Sequence, residues 1–305
     1  MQLPASPPVD PNRFRILLLD KPQGLSSNAA LGRAKRILGI RKAGHTGTLD
    51  PLASGLLVLC FGEATKVAGF LLDGDKSYVA EIRLGLTTET DDAEGEVISE
   101  QPVPTLDPEA LERVLDAFRG PIEQIPPMYS ALKQNGERLY KLARRGETVE
   151  RPARAVTIRE LSMLECQADR LIVQVCCSKG TYIRSLARDL GEMLGCGAHL
   201  TALRRTQSAP YRLSDSVTLE ELESLTPEAA RARFQPPDSA LGHLPAIELQ
   251  GDESERLQLG QRLSSQRSGD LRGLVRLYGP SGFFGLGEAD ERGLKPRRLF
   301  STARV

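Results

Sequence analysis

Residues 43–62 of this 305-residue chain read AGHTGTLDPLASGLLVLCFG. We expect the first part, 43–55, to be a loop, because glycine and threonine dominate it, and the apolar run 56–62 to be a buried strand. Asp50 is the one carboxylate of this loop, and no other acidic residue lies within twelve positions on either side. Pro51 holds residue 50 extended. The pattern leaves two interpretations open: Asp50 forms a turn or cap, or it is a positioned nucleophile or base.

Segments with helix and strand patterns lie on both sides of this loop, and the two types do not alternate regularly along the chain. Apolar or alternating runs predict strands at 15–19, 76–86, 155–166, 170–178 and 198–209. Capping residues and apolar spacing predict helices at 29–40, 64–72, 108–120 and 182–194. This order predicts an α+β fold with a mixed, largely antiparallel sheet flanked by helices.

Changes in composition divide the chain into parts. The proline-rich start, 1–12, predicts a flexible tail, and 13–240 predicts one large domain. Within it, 121–151 is rich in basic residues and helix breakers, which predicts a long loop around a short helix. Residues 247–305 have short β-like segments around glycines and predict a small separate β-rich domain.

Composition excludes several classes of protein. No apolar run reaches the length that crosses a bilayer, and the N-terminus lacks the features of a secretory signal. Five cysteines without CxxC spacing and three unpaired histidines argue against disulfides and against a metal site. We therefore expect a cytoplasmic protein with reduced thiols and no bound metal.

The net charge is zero, but it is unevenly distributed. Residues 1–70 carry nine basic and four acidic groups, 71–120 carry four and thirteen, and 121–212 carry fifteen and nine. A polyanion could dock on the first and third segments while the second faces water. Solvated surface remains the alternative interpretation of these charges.

A second candidate cluster is Lys179-Gly180-Thr181-Tyr182-Ile183-Arg184, at the predicted start of a helix. An arginine near a buried aspartate keeps the carboxylate ionised by charge attraction and hydrogen bonding. Tyr78, at the start of a predicted strand, is either a core aromatic or a polar contact at the rim of a site.

Several segments together resemble the TruB family of tRNA pseudouridine synthases. GHTGTLDPLASG (44–55) is similar to the family's catalytic motif, and DKPQGLSS (20–27) to its KPxGxTS segment, with Ser where Thr is usual. KSY (76–78) with the following LGLTTETDDAEGEV resembles its tyrosine motif. PPMYSALKQNGERLYKLARRG (126–146) resembles its RNA-gripping thumb, and 177–205 its arginine motif. The tail resembles the small β-barrel called PUA more weakly.

The resemblance implies a pseudouridine synthase fold with a C-terminal PUA-like barrel. Such enzymes isomerise uridine 55 in the TΨC arm of tRNA to pseudouridine, with no cofactor, metal or guide RNA. The substrate and partner would then be tRNA, bound by a monomer.

The resemblance also implies roles for individual residues. Asp50 would be the essential carboxylate, Arg184 its ion-pair partner, and Tyr78 the side chain stacked on the uracil and a candidate for proton transfer. The remaining pocket residues would be His45, Tyr182 and Leu203, and Lys21 and Lys66 would line the pocket or support its geometry. We expect the phosphates to be contacted by Lys133, Arg138, Lys141, Arg144, Arg145, Arg204 and Arg205.

Three other functions compete with this interpretation. A tRNA-folding chaperone would use the thumb and tail but would not need Asp50. A guide-dependent enzyme acting on ribosomal RNA would need surfaces for accessory proteins. A glycosidase would need two carboxylates flanking the bond, whereas this loop supplies one.

Overall fold

One large mixed sheet carries most strands and positions the candidate site. The structure is a computed structural model that describes residues 14–134, 136–147 and 149–300. In chain order the strands are β1 (Phe14–Lys21), β2 (Ala43–Thr46), β3 (Ala53–Gly62), β4 (Lys76–Leu84), β5 (Leu86–Thr88), β6 (Val97–Glu100), β7 (Gly120–Gln124), β8 (Lys133–Gln134), β9 (Glu137–Arg138), β10 (Arg154–Gln167), β11 (Arg170–Cys177), β12 (Ala198–Ser208), β13 (Tyr211–Arg212), β14 (Val217–Thr218), β15 (Phe234–Gln235), β16 (Ala246–Glu248), β17 (Gly273–Gly279), β18 (Gly282–Asp290) and β19 (Gly293–Leu299).

The helices pack against the faces of the sheets. The α-helices are α1 (Ser27–Leu38), α2 (Ala68–Leu72), α3 (Pro108–Asp116), α4 (Leu139–Ala143), α5 (Ile183–Met193), α6 (Leu219–Ser224), α7 (Pro227–Ala232), α8 (Gly251–Gln258) and α9 (Ser265–Ser268). Short 3₁₀ helices occupy Glu63–Lys66, Leu213–Asp215 and Pro237–Leu241. Ser26 caps α1 by accepting a hydrogen bond from the Ala29 N–H at 3.2 Å, and Gly39 ends this helix in the left-handed conformation.

The large sheet has the strand order β14-β1-β3-β12-β4-β11-β10-β7, with β2, β13 and β15 paired to β3, β12 and β1. The β1–β14 and β3–β12 pairs are parallel, and the other pairs in this sheet are antiparallel. The mixed, largely antiparallel α+β fold expected from the sequence is confirmed.

The two faces of the sheet bury different cores. Leu17, Leu19 and Leu57 face the side covered by α1 and α5, whereas Ile16 and Leu18 face the opposite side. Such alternation follows from the two-residue repeat of a strand. The candidate site lies on the α1–α5 side, at the end of the sheet where β1 finishes.

The C-terminal residues form a second, four-stranded sheet, β16-β17-β18-β19. It has its own apolar core around Leu257, Val275 and Leu277. Leu286 and Phe300 also join the core on the far face of the large sheet. The C-terminal sheet therefore packs against the side of the large sheet that faces away from the candidate site.

Two segments differ from the sequence prediction. Residues 43–46, expected in a loop, form strand β2, because their backbone pairs with 58–61 of β3. Residues 120–124, at the start of the expected thumb loop, form β7, which extends the sheet beside β10. The predicted tail, 1–12, lies outside the described residues.

Candidate active site

The backbone on both sides of Asp50 is held by the residues around the start of α1. The Ser27 hydroxyl accepts a hydrogen bond from the Leu49 N–H at 2.8 Å and lies 2.9 Å from the Leu49 carbonyl, to which it donates. The Gly24 N–H donates to the carbonyl of Pro51 at 2.8 Å. Ser27 is 2% exposed, so this clamp is shielded from water. Asp50 is therefore held by three backbone contacts with the segment between β1 and α1.

Arg184, in the first turn of α5, anchors the Asp50 carboxylate. Its Nη2 lies 2.9 Å from Asp50 Oδ2 and donates to the carbonyl of Tyr129 at 2.7 Å. Its Nη1 donates to the carbonyl of Thr90 at 3.0 Å. The arginine is 5% exposed, whereas the Asp50 side chain keeps 42% of its surface accessible. The pair thus combines a fixed, buried cation with a carboxylate that a substrate can reach.

A second carboxylate, Asp92, also binds Arg184. Its Oδ2 lies 3.3 Å from Arg184 Nη1, and its Oδ1 accepts hydrogen bonds from the Thr90 hydroxyl at 2.5 Å and the Glu94 N–H at 3.0 Å. Asp92 is 2% exposed. Asp92 was not predicted as a site residue, because it lies in an acidic turn whose composition is typical of solvated surface. The resemblance of 84–97 to the tyrosine motif is the signal that could have drawn attention to it.

The pKa of Asp50 is set by opposing effects. Burial of the carboxyl raises its pKa above the ordinary value, and the charge and hydrogen bond of Arg184 lower it. The charge of Asp92 raises the pKa further, whereas Lys21 lowers it. Arg184 therefore provides the largest contribution that favours the ionised form of Asp50, which is the form that can act as a nucleophile or base.

Four strands place a row of register partners beneath this carboxylate. Lys21 on β1 pairs with Gly55 on β3, Gly55 with Arg205 on β12, and Arg205 with Tyr78 on β4. A Cβ at Gly55 would lie 2.3 Å from the Arg205 carbonyl oxygen, and the φ of Gly55 is +99°. Glycine is needed here because the β3 and β12 backbones approach so closely.

Lys21 lies under the site and does not line it. It is fully buried, and its Nζ donates to the carbonyls of Pro22 at 2.8 Å and Leu25 at 2.6 Å. Burial lowers its pKa to about 8, against the attraction of Asp50. Of the two roles expected for Lys21, lining the pocket or supporting its geometry, only the second fits, because the side chain is fully buried. It supports the turn before α1 and the electrostatics of Asp50.

Arg205 was expected on an RNA-binding surface, and this placement is wrong. It is 1% exposed and donates from Nε to the carbonyl of Leu56 at 2.7 Å and from Nη2 to that of Gly47 at 3.1 Å. Both carbonyls flank the Asp50 segment, so Arg205 braces it from below. The reason is the alternation of β12, which turns residue 205 inward and residue 204 outward.

Tyr78 packs against Arg205 and is 8% exposed. Burial raises the pKa of its phenol, and the charge and hydrogen bond of Arg205 lower it. The phenol is thus protonated at neutral pH and can donate a proton.

The remaining pocket candidates lie around this centre. His45 is half-buried on β2, and burial and Arg205 lower its pKa, so its ring is neutral at pH 7. Tyr182 precedes α5, and its backbone N–H donates to Gln124 Oε1 at 2.8 Å. Leu203 is half-buried opposite Ala53, next to the Asp50 loop.

Lys66 lies elsewhere, which corrects its assignment to the pocket. Its Nζ donates to the carbonyl of Leu299 in the C-terminal sheet at 2.7 Å and forms an ion pair with Glu63. The 3₁₀ helix that carries Lys66 follows β3, at the end of this strand remote from Asp50.

The thumb arginines differ in their partners. Arg145 pairs with Glu137 at 2.7 Å and Glu147 at 2.6 Å, whereas Arg144 lies over the ring of Tyr140 at 5.5 Å. Lys133, Arg138 and Lys141 are exposed. All five remain predicted phosphate contacts.

Arg204 is exposed and pairs with Asp20 at 2.6 Å. Both line a polar cleft of about 590 Å³ with Arg212, Ser214 and Glu221. Strand alternation places this cleft on the opposite face of the sheet from Lys21 and Arg205, so it is separate from the Asp50 site.

Comparison with known proteins identifies the class. The chain matches the model described as TruB family pseudouridylate synthase, N-terminal domain, over residues 35–183. It matches the tRNA pseudouridylate synthase B C-terminal domain over 184–242 and the C-terminal model of pseudouridine synthase II TruB over 245–300. The class is therefore a pseudouridine synthase, an isomerase.

Relatives and solved structures agree with these matches. The chain is 52% identical to tRNA pseudouridine synthase B of Aromatoleum aromaticum, over 94% of this chain and 92% of the relative, and 54% identical to that of Ralstonia nicotianae, over 93% of each. A structure titled as an archaeal box H/ACA sRNP Nop10-Cbf5 complex is similar with a TM-score of 0.72 and 25% identity, covering 97% of this chain and 92% of that one. The chain belongs to the TruB family.

Within the described ranges, no helix is long and apolar enough to span a membrane, and no group of three or more His, Cys, Asp or Glu side chains is arranged to hold a metal ion.

Proposed function

We propose that this enzyme converts uridine 55 in the TΨC arm of tRNA to pseudouridine, with Asp50 as the essential carboxylate and without cofactor, metal or guide RNA. The observation that carries the proposal is the Arg184–Asp50 pair, in which a buried guanidinium holds an accessible carboxylate at 2.9 Å. The tRNA specificity is supported by the names of the relatives, tRNA pseudouridine synthase B.

The reaction needs little besides this carboxylate. The C1′–N1 bond of the uridine breaks, the uracil turns, a C1′–C5 bond forms, C5 loses its proton and N1 gains one. No electron is transferred to another molecule and nothing is hydrolysed. Asp50 could add to uracil C6, attack C1′, or remove the C2′ proton to give a glycal, and the three routes share the need for an ionised carboxylate.

The other side chains have supporting roles. The neutral His45 ring can stack in the space that the flipped-out base leaves, and Tyr78 and Leu203 can hold the detached uracil. Tyr78 can return a proton, because its raised pKa keeps it protonated. Burial raises the pKa of the Tyr182 phenol, so this side chain can donate a hydrogen bond to the base.

The domain division extends the same proposal. Residues 13–240 would form the catalytic domain with its thumb at about 121–151, and 247–305 a PUA-like RNA-binding domain. The protein would act as a monomer on the TΨC stem-loop of tRNA, with basic thumb residues and Arg204 on phosphates.

The test is to incubate the purified protein with an unmodified tRNA transcript and chelator, without other RNA, and to map pseudouridine at every uridine. The proposal predicts modification at uridine 55 alone. Modification at another position, or only after a guide RNA is added, would contradict it. A tRNA-folding chaperone would bind and refold the transcript and leave every uridine unchanged.

A further inference from the structure

A cluster of cations lies far from the Asp50 site, at the other end of α1. Residues 21–49 contain six basic and no acidic residues. Four of the six are Lys35, Arg36, Arg41 and Lys42, which we call the α1 basic patch. Lys35 and Arg36 are in the last turn of α1, and Arg41 and Lys42 follow its Gly39 cap.

Most of this charge is not neutralised within the protein. Lys35, Arg36 and Arg41 make no ion pair and no side-chain hydrogen bond with any residue that the structure describes. By contrast Arg33, on the same helix, pairs with Glu223 at 3.1 Å. Cations in the last turn of a helix stabilise the helix dipole, which accounts for Lys35 and Arg36. Arg41 and Lys42 lie beyond the cap and have no such role.

The patch is well separated from the catalytic carboxylate. Ser27, the first residue of α1, binds the backbone of Leu49 next to Asp50. The 12-residue helix then runs away from the site for about 18 Å, at 1.5 Å per residue. The Lys42 carbonyl accepts a hydrogen bond from the N–H of Gly62, at the end of β3 remote from Asp50. A uridine bound at Asp50 therefore does not reach the patch.

The positive charge continues towards the C-terminal sheet. Lys42 pairs with Glu63 at 2.6 Å, and Glu63 also pairs with Lys66, which donates to the carbonyl of Leu299. Arg297 and Arg298, next to Leu299, are exposed. One polyanion that reaches the α1 basic patch therefore meets further cations on the neighbouring domain.

We propose that the α1 basic patch binds phosphates of the tRNA backbone outside the TΨC arm. The proposal rests on the proposed function, because it assumes that the TΨC arm occupies the Asp50 site. Arg36 and Arg41 are exposed, and Lys35 is half-buried, and none of the three has an ion pair among the described residues. Such side chains suit the phosphates of duplex RNA, whose contacts are made mainly with the backbone. The patch then favours an intact tRNA over an isolated stem-loop, without contributing to the chemistry.

The test compares two RNAs and two variants. Binding to intact unmodified tRNA and to the isolated TΨC stem-loop is measured over a range of salt concentrations, in an Asp50→Asn background that leaves the RNA unaltered. The patch variant carries Lys35→Gln, Arg36→Gln and Arg41→Gln. The control variant carries Arg83→Gln, Arg170→Gln and Arg231→Gln, which removes the same charge from arginines that pair with acidic residues elsewhere.

The patch variant should bind intact tRNA about 10–100-fold more weakly. The slope of its log binding constant against log salt concentration should fall by the amount expected for about two to three lost phosphate contacts. Its affinity for the stem-loop, and that of the control variant for both RNAs, should stay within about threefold. Equal losses on both RNAs, no loss on tRNA, or the same loss in the control variant would overturn the proposal. The proposed function is tested separately, by whether the wild-type protein modifies uridine 55. The role of the α1 basic patch is tested only by how much more the patch variant loses on intact tRNA than on the stem-loop.

Discussion

The Nη2 atom of Arg184 lies 2.9 Å from Oδ2 of Asp50, in a pair whose cation is 6% exposed and whose anion is 42% exposed. A buried cation with fixed backbone partners costs no reorganisation when charge develops near it. The Asp50 carboxylate is therefore positioned by α5 as much as by its own loop.

Replacing Arg184 should abolish catalysis without abolishing binding. We expect Arg184→Ala to lower the single-turnover rate constant at saturating tRNA by at least ~100-fold, because Asp50 loses its fixed counter-ion. The tRNA affinity should stay within about tenfold, since the predicted phosphate contacts lie elsewhere. Thermal unfolding of the variant provides the control for folding. Loss of binding with an intact rate constant would show that the assigned role is wrong.

Asp92 should matter through Arg184. We expect Asp92→Asn to lower the rate constant by roughly 10–100-fold, the worth of a hydrogen bond to a charged group, because Arg184 loses one of its fixed partners. Asn keeps the oxygen that accepts from the Thr90 hydroxyl, so the fold should persist. If the Asp92→Asn variant keeps the wild-type rate constant, Asp92 does not act on Asp50 through Arg184.

The pH dependence should follow Asp50. Its pKa is raised by burial, so the rate constant should fall with decreasing pH at a midpoint above the ordinary carboxyl value of about 4. Because Asp92 raises this pKa, the Asp92→Asn variant should show its acid limb at lower pH, on a reduced plateau. The pH–rate profiles of the two proteins at saturating tRNA measure this shift. A limb that moves to higher pH would contradict the account.

Arg205 and Tyr78 should act together. Arg205 lies against the phenol and braces the backbone around Asp50 through Gly47 and Leu56. We expect Arg205→Lys and Tyr78→Phe each to lower the rate constant, and the double variant to lose less than the product of the two effects, with a coupling of about 1 kcal/mol or more. Arg205→Lys keeps the buried charge, so folding is less affected than with Arg205→Met. If the two effects on the rate constant simply multiply in the double variant, Arg205 and Tyr78 act independently and the prediction is wrong.

The thumb offers a matched pair for RNA binding. Arg145 is already paired with Glu137 and Glu147, whereas Arg144 lies over the Tyr140 ring and has no ion pair with any residue that the structure describes. We expect Arg144→Ala to weaken tRNA binding and to reduce its salt slope by about one phosphate contact. Arg145→Ala should change the affinity less, since its charge is largely compensated. The reverse order, measured by binding at several salt concentrations, would show that the ion pairs of Arg145 open when RNA binds.

Much of the fold could be read from local patterns. The buried run at 56–62 and the cap before α1 each follow from short-range rules, and the structure confirms them. The predicted helix ran to residue 40, whereas α1 ends at Leu38 before Gly39. Strand β2 was not predicted, because its four residues, Ala43–Thr46, have no alternating or apolar pattern that indicates a strand. They form a strand only because β3 offers a free edge.

The site was predicted less completely than the fold. Asp50, Arg184 and Tyr78 come together as expected, and Lys21 supports the site from below, but Arg205 and Lys66 were placed wrongly. A sequence shows that an arginine or lysine is present, whereas the direction of its side chain depends on strand register. The row that joins Lys21, Gly55, Arg205 and Tyr78 crosses four strands and has no counterpart in the order of the chain.

Isomerisation of uridine 55 is proposed to depend on the Asp50 carboxylate, and tritium release from uridine C5 measures this dependence. An unmodified tRNA transcript tritiated at uridine C5 is incubated with the wild-type protein and with Asp50→Asn, with chelator and without cofactor, and tritium release is followed. The account predicts release from the TΨC-arm uridine with the wild-type protein and none with the variant, at matched tRNA affinity. Release by Asp50→Asn at the wild-type rate, or no release by either protein despite tight tRNA binding, would contradict it.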